Sequence, residues 1–534
     1  MAELRLHGRP ASPGLAFSRL FVLAEADSGD GTHVAGDAAA EAARLHQAIH
    51  RAAEQLEAVS ESAAEDAREI LEFQIAMLGD ETLAEPALAA IAEGAAAELA
   101  WAAALDAQIA DYTGAEDEYF RARAADLEDL KDRVLHVLSG RQLAAVPAGT
   151  VLVARDLPPS RFLGIEWRDG SAIALAAGSP TSHVALLARA RGIPMVVGLG
   201  SDVLGVSSDQ EAMVDGERGI LVVAPEAATR AAAAERGAEI KQRRKLAESF
   251  RLKPAVMPNG EPVAVMINAA GPDELQTLDP AMCDGIGLVR SEFLVHDGAR
   301  LPDEETQYQA YRRVLEWAGQ RPVTIRTLDA GGDKPVAGLT LDDEGNPFLG
   351  TRGIRLSLLK PDIFRVQLRA LCRAALHGSL KIMLPMVAVP SDLARGREHL
   401  DAVVAELQAA KIPHRRPPLG IMVEVPAAAI AIDRFDADFY SIGSNDLTQY
   451  VMAAARDIAT LADYADAADP AVLSLIARTV EHGRKTGRDV SLCGDAASDP
   501  RIVPHLLMAG LRTLSVSASS VGLVKAAIAG ALPA

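Results

Sequence analysis

The sequence predicts a multidomain α/β protein: a small α/β domain with an inserted helical bundle, a helical linker, and a C-terminal (β/α)8 TIM barrel. Three observations predict it. Strand-like runs stop at about residue 24 and resume at about 148, the interval between them is acidic and alanine-rich with helical spacing, and beyond Lys253 eight short β-type runs alternate with helical stretches. At 534 residues, 49% of them hydrophobic, the chain is long enough for about three or four domains of ~150 residues, each with its own core.

The first domain is read over residues 1–30 and 143–224, with strand-like pieces at Ala16–Leu23, Thr150–Ala154, Ser171–Ala176 and Met195–Val197. Within it, GSPTSHVALLARARGIPMVVG places Thr181, Ser182 and His183 after a Gly-Ser-Pro turn and before an apolar run, which predicts a hydroxyl-capped helix start. An imidazole there lies among free backbone N–H groups, where an anion carried on the ring is stabilised. A polar loop histidine is the alternative reading of His183 taken alone.

Residues 31–142 form the helical insertion. Asp37 to Arg133 holds 23 Asp/Glu against 7 Lys/Arg, so one fifth of the chain carries −16 of its net −20. Apolar residues recur at helical spacing, as in Ile70, Phe73, Met77 and in Leu127, Leu130, Val134, Leu138. An ordinary solvated surface accounts for such charge in many proteins. Here Phe73, Met77 and Leu78 stand among Glu69, Glu72, Asp80 and Glu81, a pattern suited to docking a small basic protein. Residues 225–253, rich in Ala, Glu, Arg and Lys, read as an exposed connecting helix that allows the domains to move.

Residues 254–534 carry the eight runs: Val263–Ala269, Gly285–Ser291, Val323–Asp329, Leu380–Met386, Gly420–Val425, Phe439–Gly443, Asp489–Gly494 and Thr513–Ala518. In a (β/α)8 barrel the reactive groups lie at the C-terminal strand ends. Polar residues fall there: Arg290, Arg326 with Asp329, Glu424, Asn445 with Asp446, and Cys493. Arg290, Arg326, Arg352 and Arg456 supply planar cations for a small molecule bearing carboxylate and phosphate groups. Glu424 and Asp446 suit Mg²⁺ completed by substrate oxygens, with salt bridging to the arginines as the alternative. Cys493 reads either as a buried small hydrophobe or as a proton donor.

Other classes are disfavoured. The net charge of −20 argues against nucleic acid and anionic membrane as partners. The N-terminal residues lack a basic segment followed by an apolar one, and no run of about 18 apolar residues occurs, so a cytoplasmic location is expected. Cys283, Cys372 and Cys493 are too dispersed for a disulfide framework or a zinc site.

In order, TSHVALLARARGIPMVVG, DGIGLVRSEFL, TIRTLDAGGDK, NPFLGTRGIR, GIMVEVPAA, SIGSNDLTQY and SLCGDAA closely resemble the enzyme I family of the sugar phosphotransferase system, the phosphoenolpyruvate-protein phosphotransferases. ASPGLAF and ILEFQIAMLGDETL extend the resemblance over nearly the whole chain. It implies that His183 is phosphorylated by phosphoenolpyruvate, that Arg290 and Arg326 hold the phosphate, and that Arg352, Asn445 and Arg456 make further substrate contacts. It implies Glu424 and Asp446 as Mg²⁺ ligands, with Mn²⁺ as a substitute, and Cys493 as the donor that protonates the enolate to pyruvate. It further implies HPr, a small histidine-containing carrier protein, as the partner of the helical insertion, and a homodimer formed through the barrel.

The chain departs from the family pattern at Gly178-Ser179-Pro180, where Gly-Gly-Arg is usual, at Ala455 in place of aspartate, and at Asp495 in place of glutamate. It also stops at Ala534, soon after the eighth run, which predicts a short last helix and leaves the stability of a barrel-mediated dimer open. A pyruvate phosphate dikinase or phosphoenolpyruvate synthase would need a phosphate-cradling ATP loop, which the sequence lacks. A barrel lyase or aldolase would leave His183 and the acidic bundle unused, and a non-catalytic regulatory homologue would have lost site residues that are all retained here.

Overall fold

In the computed structural model, residues 3–23, 36–61, 65–113, 118–140, 145–180, 182–295, 301–331, 336, 339–340, 344–455, 461, 464 and 466–531 are described. The chain forms two compact units, Met1–Glu239 and Ile240–Ala534.

The first unit is built on an eight-stranded sheet: β1 (Leu4–His7), β2 (Arg9–Ser12), β3 (Leu15–Val22), β4 (Val151–Ala154), β5 (Ala172–Leu175), β6 (Met195–Val197), β7 (Glu211–Asp215) and β8 (Ile220–Val223), in the order β1-β8-β7-β3-β4-β5-β6-β2. β3 and β4 are parallel neighbours, with Leu20 opposite Val151 and Val22 opposite Val153. Parallel neighbours need a crossover. Here it is the whole helical insertion, α1 (Ala38–Glu61), α2 (Glu65–Leu78), α3 (Glu81–Ala92), α4 (Ala97–Thr113) and α5 (Glu118–Ser139). The sheet buries both faces by its two-residue period. Leu152 and Ala154 join the bundle-side core with Ile173, Leu175, Trp101 and Leu130, whereas Val151 and Val153 pack with Leu20 and Val214 on the other side.

Leu127, Leu130 and Val134 are buried as their spacing predicts. Of the three expected docking anchors, Phe73 is exposed and Met77 is half-buried. Leu78 corrects the expectation: it ends α2 inside the core at 5% exposure and presents no surface to a partner. Asp80 caps α3 by accepting the Thr82 N–H, and the side chains of Glu69 and Glu81 lie outside the described set.

After α6 (Pro159–Leu163) comes α7 (His183–Arg191), which closes at Gly192 in the left-handed region, φ +67°. α8 (Ala227–Arg251) follows with no buried residue. Among the described residues no helix is long and apolar enough to cross a membrane.

The second unit is a closed barrel of eight parallel strands: β9 (Ala264–Ala269), β10 (Ile286–Arg290), β11 (Pro322–Arg326), β12 (Ser379–Leu384), β13 (Leu419–Val423), β14 (Phe439–Gly443), β15 (Asp489–Cys493) and β16 (Thr513–Ser517). All eight predicted runs are strands, and β16 closes on β9 with Thr513 opposite Ala264 and Ser517 opposite Asn268. The last helix, Val521–Ile528, passes so close to α8 that a side chain at Gly522 would lie 2.1 Å from the Ala247 carbonyl oxygen. Beside it the buried Lys525 donates Nζ to the carbonyls of Arg251 (3.0 Å) and Met282 (2.8 Å). Lys525→Ala strands both carbonyls. We expect it to cost about 2 kcal/mol of barrel stability, read as an earlier urea midpoint for the barrel transition, and an unchanged midpoint contradicts this anchoring role.

Candidate active site

Barrel strands alternate between the helix-packed core outside and the filled interior. On β13, Ile421 and Val423 belong to the outer core, while Met422 joins Leu288, Met383, Phe439 and Cys493 in the inner cluster. Two residues further, the same inward series reaches Glu424; on β10 it runs from Leu288 to Arg290. On β11, Val323 and Ile325 face outward, which turns Arg326 inward. The series ends in a cavity of about 360 Å³ lined by Leu288, Arg290, Arg326, Met422, Glu424, Gly443, Ser444, Asn445, Asp446, Cys493, Gly494 and Asp495. Residues from β10, β11, β13, β14 and β15 therefore meet at the C-terminal mouth.

Arg326 is 4% exposed and lies between acids, with Nη1 3.1 Å from Asp329 Oδ2 and Nη2 3.3 Å from Glu292 Oε2. Burial lowers its pKa, but Glu292, Asp329 and Glu424 outweigh that and raise it, so the guanidinium stays charged. Among the described residues its Nε and Nη2 nonetheless have no hydrogen-bond partner. Buried donors left in this state on a cavity wall suit an incoming anion. Asp329 also holds Arg352, through Nη2 at 2.8 Å and Nε at 3.3 Å, so one buried carboxylate braces two guanidinium groups.

Glu424 is 1% exposed. Its Oε1 accepts the Met386 backbone N–H at 2.6 Å, and Met386 holds φ +56°, a conformation costly for a side-chain-bearing residue. Strain of this kind persists where the surroundings fix it, and here it aims a donor at the carboxylate. Across from it Gly443 is required, since a Cβ there would stand 2.9 Å from Glu424 Oε2. Burial, then Asp446 and Asp329, push the Glu424 pKa upward. Among the described residues no arginine pairs with Glu424, while Asp446 Oδ1 lies 3.4 Å from Arg352 Nη1. No cluster of three or more His, Cys, Asp or Glu suited to a metal occurs among the described residues. A buried carboxylate raised by a neighbouring carboxylate fits a hard divalent cation that takes its remaining oxygens from substrate and water.

Comparison with known proteins decides the family. Residues 244–532 match the PEP-binding domain of PEP-utilising enzymes, residues 7–123 their N-terminal domain and residues 146–219 their mobile domain. The chain is 35% identical over 530 residues to a phosphoenolpyruvate-protein phosphotransferase of Geobacillus stearothermophilus, covering 97% of this chain and 92% of that one. It is 40% identical over 419 residues to one from Haloferax volcanii, covering 76% and 72% of the two chains, and 35% identical over 528 residues to one from Mycoplasma pneumoniae, covering 97% and 91%. The chain belongs to the phosphoenolpyruvate-protein phosphotransferase family. It is a phosphotransferase enzyme of phosphoenolpyruvate-dependent phosphoryl transfer.

In this phosphotransferase the residues singled out from sequence separate into groups. Arg290, Arg326, Glu424, Asn445, Asp446 and Cys493 converge on the cavity. Arg352 does not line it. Fully buried, it joins Asp329 to Asp446, with the Tyr450 hydroxyl 3.4 Å from Nη1. Cys493 is 2% exposed, and its thiol pKa is pushed up to about 11, by burial first and then by Glu424. His183 opens α7 in the first unit, where the capping Ser182 accepts the Ala185 N–H at 3.3 Å. Thr181 and Arg456 lie outside the described residues, as does the side chain of His183.

Sequence reasoning missed Glu292, Met386, Tyr450 and the bracing role of Asp329. Glu292 stands within the DGIGLVRSEFL motif two residues past Arg290, so a charge beside a strand end was the available signal. It accepts the Asp329 N–H at 2.6 Å through Oε1. Nothing in the sequence marks the left-handed backbone of Met386.

Proposed function

We propose that this phosphotransferase moves the phosphoryl group of phosphoenolpyruvate onto His183 and from there to a histidine of a small carrier protein of the HPr type. The observation that carries the substrate reading is the buried Arg326, with two donors that have no hydrogen-bond partner among the described residues, on the wall of the same cavity as Glu424 and Asp446. Arg290 and Arg326 hold the phosphoryl oxygens, and Asn445 and Arg456 contact the rest of the substrate. Arg352, off the cavity wall, acts by fixing Asp329 and Asp446. Glu424 and Asp446 are the residues that would hold Mg²⁺, or Mn²⁺ in its place. The ion supplies charge neutralisation at the phosphoryl oxygens.

The chemistry is an in-line displacement at phosphorus. A bond forms between an imidazole nitrogen of His183 and phosphorus, while the bond from phosphorus to the enol oxygen breaks. The released enolate takes a proton at carbon from Cys493, which yields pyruvate. The raised pKa keeps that thiol protonated near neutral pH until the enolate arrives. We expect Cys493→Ala to slow pyruvate release by about 10²-fold while sparing phosphoenolpyruvate binding, because water reaches an open cavity as a poorer acid. A loss below ~10-fold in a stopped-flow pyruvate assay assigns the thiol to packing alone.

The division of labour follows the predicted domains. Residues 1–30 with 143–224 carry His183, 31–142 receive the carrier, 225–253 connect, and 254–534 bind phosphoenolpyruvate. The acidic bundle with exposed Phe73 suits a basic carrier surface. The enzyme works in the cytoplasm as a homodimer paired through the barrel. Incubation with phosphorus-labelled phosphoenolpyruvate and Mg²⁺, with and without HPr, tests the whole scheme. Label should appear on His183 and pass to the carrier, and label that stays in phosphoenolpyruvate, or moves to nucleotide instead, refutes it.

A further inference from the structure

Asn445 lies in the first turn of the helix Ser444–Met452 and lines the cavity. A carboxamide is nearly symmetric in shape, yet one end accepts hydrogen bonds and the other donates them. Which end meets the substrate is therefore set by what else holds the group. The backbone N–H of Asp495 donates to Asn445 Oδ1 at 2.9 Å, and the Asp495 Oδ2 accepts from Asn445 Nδ2 at 3.0 Å. A backbone N–H can only donate and a carboxylate can only accept, so both contacts demand the same orientation. The Ser444 hydroxyl donates its one proton to the Cys493 carbonyl at 2.8 Å, and its Oγ lies 3.4 Å from the same Oδ1. Oδ1 is thereby engaged by the Asp495 N–H, and among the described residues one Nδ2–H has no partner.

The loop that carries Asp495 leaves no freedom for this pairing to drift. Gly494 holds φ +100°, and a Cβ there would stand 2.3 Å from Ser444 Oγ and 2.6 Å from Asn445 Oδ1. Only glycine lets the chain turn from β15 straight onto the amide. From this geometry we infer that Asp495 is a positioning residue of the phosphotransferase: it clamps the Asn445 amide so that Asn445 presents its N–H donor to an acceptor oxygen of the bound substrate.

The inference rests on the reading that Asn445 contacts phosphoenolpyruvate, and the test separates the two. In the full-length enzyme with Mg²⁺, the phosphoenolpyruvate dependence of His183 phosphorylation is measured for Asn445→Ala, Asp495→Ala, Asp495→Asn and the Asn445→Ala/Asp495→Ala double variant. Asp495 is exposed, so its removal spares the fold. We expect Asp495→Ala to raise KM about 10-fold, the worth of one hydrogen bond to a charged group, with kcat changed less than about 3-fold. Asp495→Asn keeps an acceptor for Nδ2 without the charge and should recover most of the loss. The double variant should equal Asn445→Ala alone, because a clamp with nothing to hold contributes nothing. If Asn445→Ala raises KM but Asp495→Ala leaves it unchanged or lowers it, the clamp is refuted and the substrate contact stands. Additive effects in the double variant also refute the clamp. An unchanged KM in Asn445→Ala refutes the substrate contact and the clamp together.

Discussion

His183→Ala should abolish phosphorylation by phosphoenolpyruvate while leaving its binding to the barrel intact. The reasoning begins with the helix. Ser182, at φ −62° and ψ 154°, has the extended backbone of an N-cap and accepts the Ala185 N–H, so His183 is the first residue with helical geometry. Val184, Ala185 and Ala188 anchor α7 in the core of the first unit, while Leu186 faces solvent. Alanine is the best helix former and removes no cap, so the variant keeps the fold. What it loses is the imidazole of the residue that opens α7, and a helix N-terminus has free N–H groups that stabilise a phosphoryl anion. All the cavity-lining residues belong to the second unit, so the affinity for phosphoenolpyruvate should be unaffected. The measurement is acid-labile, base-stable label on the protein, paired with a direct binding titration. Label of that stability on the alanine variant places the acceptor elsewhere, and lost binding means the substitution damaged more than the nucleophile.

The barrel was legible because its strands are covered on both sides. Parallel strands in that setting read as short apolar runs, and Leu419–Val423 is buried at every position. In the first unit, four strands escaped notice. β1 and β2 form the two edges of the sheet, are four residues long, and expose half or more of their residues; β2 also contains Pro10, which edge strands tolerate and central ones do not. β7 and β8 pair antiparallel across the Asp215–Ile220 turn, whose Gly216 and Gly219 were the available hairpin signal. The cavity's polar residues were legible from their places at strand ends. Their bracing was not, since Asp329 joins Arg326 to Arg352 and Met386 reaches Glu424 only after different strands come together. The same limit explains Arg352: its sequence neighbours carry no sign that it is buried off the cavity wall instead of lining it.

Glu424→Gln and Asp446→Asn should each lower phosphotransfer by about 10³-fold and raise the Mg²⁺ concentration needed for half-maximal rate, since several kcal/mol of phosphoryl charge neutralisation depends on the pair. Both are same-shape substitutions, so they remove charge and little else. In Glu424→Gln the amide oxygen can still accept the Met386 N–H, and the amide nitrogen fits the space that Gly443 leaves open. In Asp446→Asn, Arg352 keeps Asp329 at 2.8 Å and remains neutralised. Loss of fold therefore cannot account for loss of rate, which matched thermal melts will verify. Burial and then Asp446 push Glu424 toward its protonated form, so neutralising either carboxylate should stabilise the protein slightly even as it removes activity. That opposition distinguishes a metal-holding pair from a structural salt-bridge network, whose disruption would lower stability and activity together. Turnover that survives a chelator, or variants within ~3-fold of the parent rate, would remove Glu424 and Asp446 from the metal assignment.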